Sequence, residues 1–162
     1  MILAIEIICI LAVVTIVDIV GAKKNSLLGL HNFPAAIQER VRELPEYKDM
    51  IKGDILTTKQ RIIKKFPALL AVFVAFYGLI YLAGANSFVQ GFLYSFILWV
   101  SIKLYVTLVL QCIVLYYNKK LWISGTEDLE NEWRNRTFFL SSIPRSMIVG
   151  IIVSLIIGVL FI

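Results

Sequence analysis

The chain has 162 residues, 59% of them hydrophobic and 17% charged, with a mean hydropathy of +0.84; a soluble domain does not keep so much apolar residue in long unbroken runs. Its net charge of +5 matches that of a nucleic-acid binder, but the basic residues sit in the loops that join apolar segments, which argues against that partner. Cys9 and Cys112 both lie inside apolar runs and form no CxxC pair, so neither zinc nor thiol-exchange chemistry is supported.

Four apolar segments, residues 2–21, 66–83, 92–117 and 143–162, are near the roughly 20 residues that a membrane helix needs. They lack the period-2 alternation of barrel strands, so helices are the expected form. Of the sixteen Lys and Arg, ten lie between Ala22 and Lys65 and five between Asn118 and Arg145; the last is Lys103. Under the positive-inside rule both connecting loops, 22–65 and 118–142, are cytoplasmic and both termini are outside. The expectation is an all-α, polytopic membrane helix bundle: a single domain over 1–162, four transmembrane helices, short cytoplasmic amphipathic helices, N-out/C-out.

The first segment carries Glu6 and Asp18, lacks a basic leading region and is followed by Lys23 and Lys24, so it reads as a retained helix rather than a cleaved signal. In the first loop, Pro34 suits the first turn of a helix, and Ile37, Val41 and Leu44 recur at i, i+4, i+7 opposite a polar face, predicting a short amphipathic helix that ends near Pro45. Thr57 with Gln60 matches a capping box; the helix it opens carries Lys59, Arg61, Lys64 and Lys65 and meets Pro67, which either kinks it or starts the second span afresh. Gly84-Ala85-Asn86-Ser87 makes a hairpin short enough to force the second and third spans antiparallel.

Aromatic residues gather around the third span, and Tyr116, Tyr117 and Trp122, beside Lys119 and Lys120, fit an inner interfacial belt. Ser124 with Glu127 is a second capping-box pattern, predicting a helix from about Glu127 to Phe139 whose first turn holds Glu127 and Asp128. Asn135-Arg136-Thr137 spells a glycosylation acceptor that a cytoplasmic loop would leave bare. Ser142-Ile143-Pro144 is expected to restart the chain as the fourth span. There Gly150, Ser154 and Gly158 recur every four residues, a stripe for close helix packing within the chain or for self-association.

The chemistry centres on Lys103, in the middle of residues 92–117, where an ammonium costs at least about 2.5–3.5 kcal/mol to insert. With each span centred in the bilayer, Glu6 is about 6 Å from Lys103 in depth and Asp18 about 12 Å. A Glu6–Lys103 pair is therefore expected, assisted by Gln111 or the hydroxyls of Ser101, Tyr105 and Thr107, with Asp18 instead reaching toward Lys23 and Lys24. This intramembrane group (Glu6, Lys103, Asp18, Gln111) is either a polar ligand site or a pair that fixes helix register. His31, the single histidine, has no second His or Cys near it for a zinc site, and the acids from Glu127 to Glu132 lack an EF-hand pattern.

No P-loop, GxGxxG, GxSxG, HExxH or CxxC motif occurs, so no catalytic residue, metal or cofactor is assigned. Small four-helix multidrug transporters share the span count but lack so long a first loop. Three functions remain: a transport or ligand-binding module around Lys103; a non-catalytic accessory subunit of a larger membrane complex; and an interfacial lipid-modifying enzyme in which His31 meets Glu127 and Asp128. The expected setting is a bacterial inner membrane. The expected partners are the lipid bilayer and either a second copy or another membrane protein.

Overall fold

The computed structural model describes residues 2–24, 27, 30–52 and 58–162, with 22–24, 49–52, 58–65 and 68–69 as backbone only. The described residues are helical throughout, without a strand. Three helical stretches are long and apolar enough to cross a membrane: Ile2–Gly21, Phe88–Leu115 and Arg136–Val159; the apolar stretch Leu70–Leu82 is shorter.

Helix α1 (Ile2–Lys24) is apolar all round and has no internal proline, so nothing in it favours a break. Ile2, Ile5, Ile8, Val13, Ile16, Val17 and Val20 are more than half exposed, a surface suited to lipid or a protein neighbour and not to water. Helix α2 (Ala35–Glu43) buries the predicted Ile37 and Val41 completely. It ends at Glu43, near Pro45 as expected, and Pro45 then opens a further helix, α3 (Pro45–Lys52), at the position where its missing N–H is harmless. The capping box expected at Thr57, and the side chains of Lys23, Lys24, Lys59, Arg61, Lys64 and Lys65, lie outside the described residues.

Helix α4 (Thr58–Leu82) runs through Pro67 without restarting. Its end is specified locally. Gly84 takes φ +88°, and the amides of Ala85 and Gly84 return to the carbonyls of Ile80 (3.2 Å) and Tyr81 (3.0 Å), the bonding of a Schellman motif. Ile80 and Ala85 then join one buried cluster, which gives that motif its usual apolar contact. Helix α5 (Phe88–Tyr105) begins four residues earlier than the sequence reading had it. Ser87 Oγ accepts the Gln90 amide (3.5 Å), and Gln90 Oε1 accepts the Asn86 amide (3.0 Å), a near relative of the capping box. The helix continues as a π-helix over Val106–Leu115, a winding seldom sustained beyond one turn and often found at functional sites.

The expected helix from Glu127 to Phe139 is instead broken. A 3₁₀ turn, Glu127–Leu129, leads into the short α6 (Glu130–Trp133), and α7 (Arg136–Val159) starts after a kink at Arg134 and Asn135. The cause is Asn135: its Oδ1 accepts the Phe138 amide at 3.0 Å and caps α7. Pro144 lies inside α7 and does not restart the chain, a placement that membrane helices tolerate where neighbouring groups re-satisfy the freed carbonyl.

By contact the chain forms two units, one of Met1–Ala12, Thr57–Tyr105 and Ser142–Ile162, the other of Val13–Leu56 and Val106–Ser141. The core of the first is Ile80, Ala85, Leu98 and Ile157, with Ile7, Ile10, Phe76 and Tyr94 packed around them. The second is built on Trp133, which is wholly buried, stacked on Trp122 (5.6 Å, 5°) and tilted against Phe33 (4.9 Å). Both indoles are satisfied: Trp122 Nε1 donates to the Leu115 carbonyl (2.8 Å) and Trp133 Nε1 to Thr126 Oγ1 (3.0 Å), whose hydroxyl donates to the Ile123 carbonyl (2.6 Å). Ile37, Val41, Cys112, Ile123 and Phe139 complete this core, and Arg40 ties α2 to the 3₁₀ turn through Asp128 (3.1 Å). Trp133→Ala is expected to destabilise the second unit by about 3–5 kcal/mol, and Trp133→Phe by less, measured by denaturant titration in detergent.

Candidate functional site

One helix pair of the first unit carries most of its interior polar groups. On α5, Gly91, Ser95, Trp99 and Lys103 recur every four residues and so share a face. On α7, Ser142, Ser146, Gly150, Ser154 and Gly158 do the same. The two stripes meet running in opposite directions. A Cβ added at Gly91 would lie 3.2 Å from the Gly158 Cα, and one added at Gly150 would lie 2.4 Å from Cδ1 of Trp99. The absent side chains thus admit Phe161 and the Trp99 indole, the close approach that small residues allow between membrane helices.

Trp99 Nε1 donates to the Ser146 carbonyl (3.0 Å) and lies 3.3 Å from Ser146 Oγ. One turn further, Lys103 Nζ donates to Ser142 Oγ at 2.8 Å. Ser95, fully buried, donates to the carbonyls of Gly91 (2.7 Å) and Phe92 (3.0 Å), whereas the buried Ser154 Oγ has no hydrogen-bond partner. The Gly150–Ser154–Gly158 stripe is therefore covered by α5 of the same chain.

The expected Glu6–Lys103 pair is not formed. Among the described residues no carboxylate makes an ion pair with Lys103, and Glu6 Oε2 is buried without a hydrogen-bond partner. Depth along the bilayer normal put the two close, but depth says nothing of azimuth. Lys103 lies on the Trp99 face of α5, toward α7, where Ser142 meets it. Gln111 and Asp18 belong to the second unit: Gln111 Oε1 is buried and unpartnered, as is Oγ1 of the fully buried Thr107, while Asp18 is exposed and makes no ion pair among the described residues. Ser101 turns back on its own helix, donating to the Ile97 carbonyl (2.8 Å). A shallow depression of about 410 Å³ in the first unit is lined, among the described residues, by Ile2, Leu3, Ala83 and Tyr94, with no Asp, Glu, Lys, Arg or His among them.

His31 is exposed in a 3₁₀ turn, Leu30–Asn32, and neither Glu127 nor Asp128 makes an ion pair with it. Asp128 is held by Arg40, and Glu127 Oε2 accepts the Gly125 amide (2.8 Å). The described residues contain no group of three or more His, Cys, Asp and Glu placed to hold a metal ion. A charge cluster not anticipated from sequence surrounds Glu130, which pairs with Lys119 (2.7 Å) and Arg134 (2.7 Å). The Lys119 hydrogen bond, the largest effect, holds the Glu130 carboxyl below the ordinary glutamate range; desolvation, second in size, opposes it, and the charges of Arg134 and Lys119 add to the lowering.

The chain matches no protein-family profile, no functionally described protein and no solved structure.

Sequence reasoning missed Ser142 and Ser146, although extending the Gly150–Ser154–Gly158 spacing toward the N-terminus finds both. Gly150→Ala is expected to displace the Trp99 indole and to lower stability by about 1–3 kcal/mol, read as a fall in thermal midpoint in detergent, while Ser146→Ala, which keeps the carbonyl acceptor, changes it little. Glu130 has a depressed folded-state pKa, so its contribution is complete above its unfolded pKa and disappears as pH falls through the folded one. The acid limb of the unfolding midpoint against pH is expected to flatten in Glu130→Gln, with the neutral-pH value lowered.

Proposed function

We propose that this chain is a four-span protein of the cell membrane, in a bacterium the inner membrane, that binds the acidic group of an amphiphilic ligand at Lys103. The fourth span in this reading is α4. Residues 66–82 of it carry no charge and number 17, the short end of what crosses the roughly 30 Å hydrocarbon layer. Parity supports it. With α1, α5 and α7 alone, the two basic loops would fall on opposite faces of the membrane; with α4 added, both are cytoplasmic and both termini are outside. The tight Gly84 turn points the same way, since it makes α4 the antiparallel neighbour of α5.

The observation that carries the ligand reading is the hydrogen bond from Lys103 Nζ to Ser142 Oγ. A hydroxyl satisfies one of the three N–H donors and none of the charge. With no carboxylate of the described residues paired to it, the ammonium is left for an acid from outside the chain, and an intramembrane cation of this kind marks a ligand or ion pathway more often than a support. A carboxylate-bearing amphiphile, able to enter sideways from the bilayer, has the required charge and solubility. Transport of that ligand is the extension of this reading.

The accessory-subunit reading is the second. The window Ile2–Gly21 of α1 contains no fully buried residue, which leaves much of its apolar surface open to a partner whose own carboxylate would meet Lys103. The lipid-modifying reading lacks a comparable observation, because Asp128 and Glu127 are engaged by Arg40 and Gly125. The test is labelling of the purified chain with a photoreactive fatty acid. Wild type is expected to be labelled near Lys103, and Lys103→Met to lose about tenfold of that labelling at unchanged thermal midpoint. Equal labelling of the variant removes Lys103 from any ligand site, and copurification of a stoichiometric membrane protein moves the balance to the second reading.

A further inference from the structure

Around Tyr116 the second unit brings three cations, Lys119, Arg134 and Arg136, together with one ion-paired carboxylate, Glu130. Tyr116 follows directly on the apolar window that ends at Leu115, and Arg136 opens the one that runs to Val159. The ends of two apolar windows meet here. The guanidinium carbon of Arg136 lies 4.3 Å from the Tyr116 ring centroid and that of Arg134 lies 5.1 Å from it. Two cations thus share one aromatic ring, each within the range of a cation–π contact.

Their charge balance is unequal. Arg134 pairs with Glu130, but Glu130 also holds Lys119, so one carboxylate serves two cations. Arg136 is exposed, and its guanidinium makes no hydrogen bond or ion pair with the described residues. Lys119, Arg134 and Arg136 together therefore stand against a single acid. Tyr117, 69% exposed beside Tyr116, adds the amphipathic ring that favours headgroup depth.

We propose that Arg136 and Arg134, floored by Tyr116, bind the phosphate of an anionic phospholipid at the edge of the bilayer. The inference rests on the membrane-spanning reading above but not on the Lys103 ligand site. Guanidinium groups suit this task because their planar fork of donors matches phosphate oxygens two at a time, and the stacked ring orients that fork before the lipid arrives. The phosphate would supply the negative charge that the cluster lacks. A zwitterionic headgroup brings no net charge and would be held less well.

The test is native mass spectrometry of the full chain released from nanodiscs of phosphatidylcholine mixed with phosphatidylglycerol. Wild type is expected to retain phosphatidylglycerol selectively, Arg136→Gln to retain about tenfold less, and Arg136→Lys, which keeps the charge without the fork, to fall between. Undiminished retention by a folded Arg136→Gln overturns the proposal. So does loss of retention in Lys103→Met alone, which would move the lipid to the other site. Wild type provides a check independent of any variant: retention of both lipids alike, or retention of added inorganic phosphate in phosphatidylcholine alone, overturns the proposal, the latter in favour of a free anion. Failure here leaves the fatty-acid labelling result at Lys103 standing, and the reverse holds too.

Discussion

Gly150 leaves the space in which the Trp99 indole lies, and from that one vacancy the polar seam of the first unit follows. With the indole seated there, its N–H reaches the Ser146 carbonyl; one helical turn on, Lys103 reaches Ser142. At the far end of the same seam, Gly91 and Gly158 bring the two backbones together. Lipid tails give helices no hydrophobic reason to associate, so close packing and interhelical hydrogen bonds have to supply it. A stripe that alternates absent side chains with short hydroxyls provides both. An indole serves here as a ridge that fits a gap of its own shape and as a donor whose partner is a backbone carbonyl, which substitution cannot remove.

The second unit solves a different problem. Its elements are short, and α6 is a single turn, so they cannot depend on helix propensity. They are ordered around two stacked indoles whose N–H groups are both satisfied. Thr126 matters because its hydroxyl accepts from Trp133 while donating to Ile123, closing a buried polar chain without an orphan. Ile37 and Val41 of α2 enter the same core, and Arg40 reaches across to Asp128 and the Gly125 carbonyl. The long first loop is therefore partly a folded element, which explains why its amphipathic pattern was readable.

What the amino-acid order announced was the helical class, three of the four expected apolar spans and the burial of Ile37 and Val41, because each depends on local composition and periodicity. Helix ends were legible in principle yet misjudged. Ser87 and Gln90 lie at capping-box spacing and open α5, and Asn135 is a helix cap hidden inside a glycosylation pattern. Pro144 was taken for a boundary, which concealed that Ser142 and Ser146 extend the stripe of Gly150, Ser154 and Gly158. The π-helical winding of Val106–Leu115 has no signature in residue types, which suit an ordinary helix equally well. The partner of Lys103 was missed for a geometric reason: hydropathy fixes where a residue lies along the membrane normal, and only the residues sharing its face fix which neighbour it meets.

That shared face also bears on why a lysine stands at position 103 at all. Its hydrogen bond to Ser142 is charge-assisted, and such bonds contribute about 1.5–3 kcal/mol. Inserting the ammonium costs at least about 2.5–3.5 kcal/mol. The two at best cancel, so the folded chain gains little from this residue that an apolar one of similar length would not give. Nor is register a sufficient reason, because Trp99 on Ser146 and the glycine contacts already set how α5 and α7 slide past each other. On the reading proposed for Lys103, a residue costly to insert and redundant for packing serves what it meets beyond its own chain.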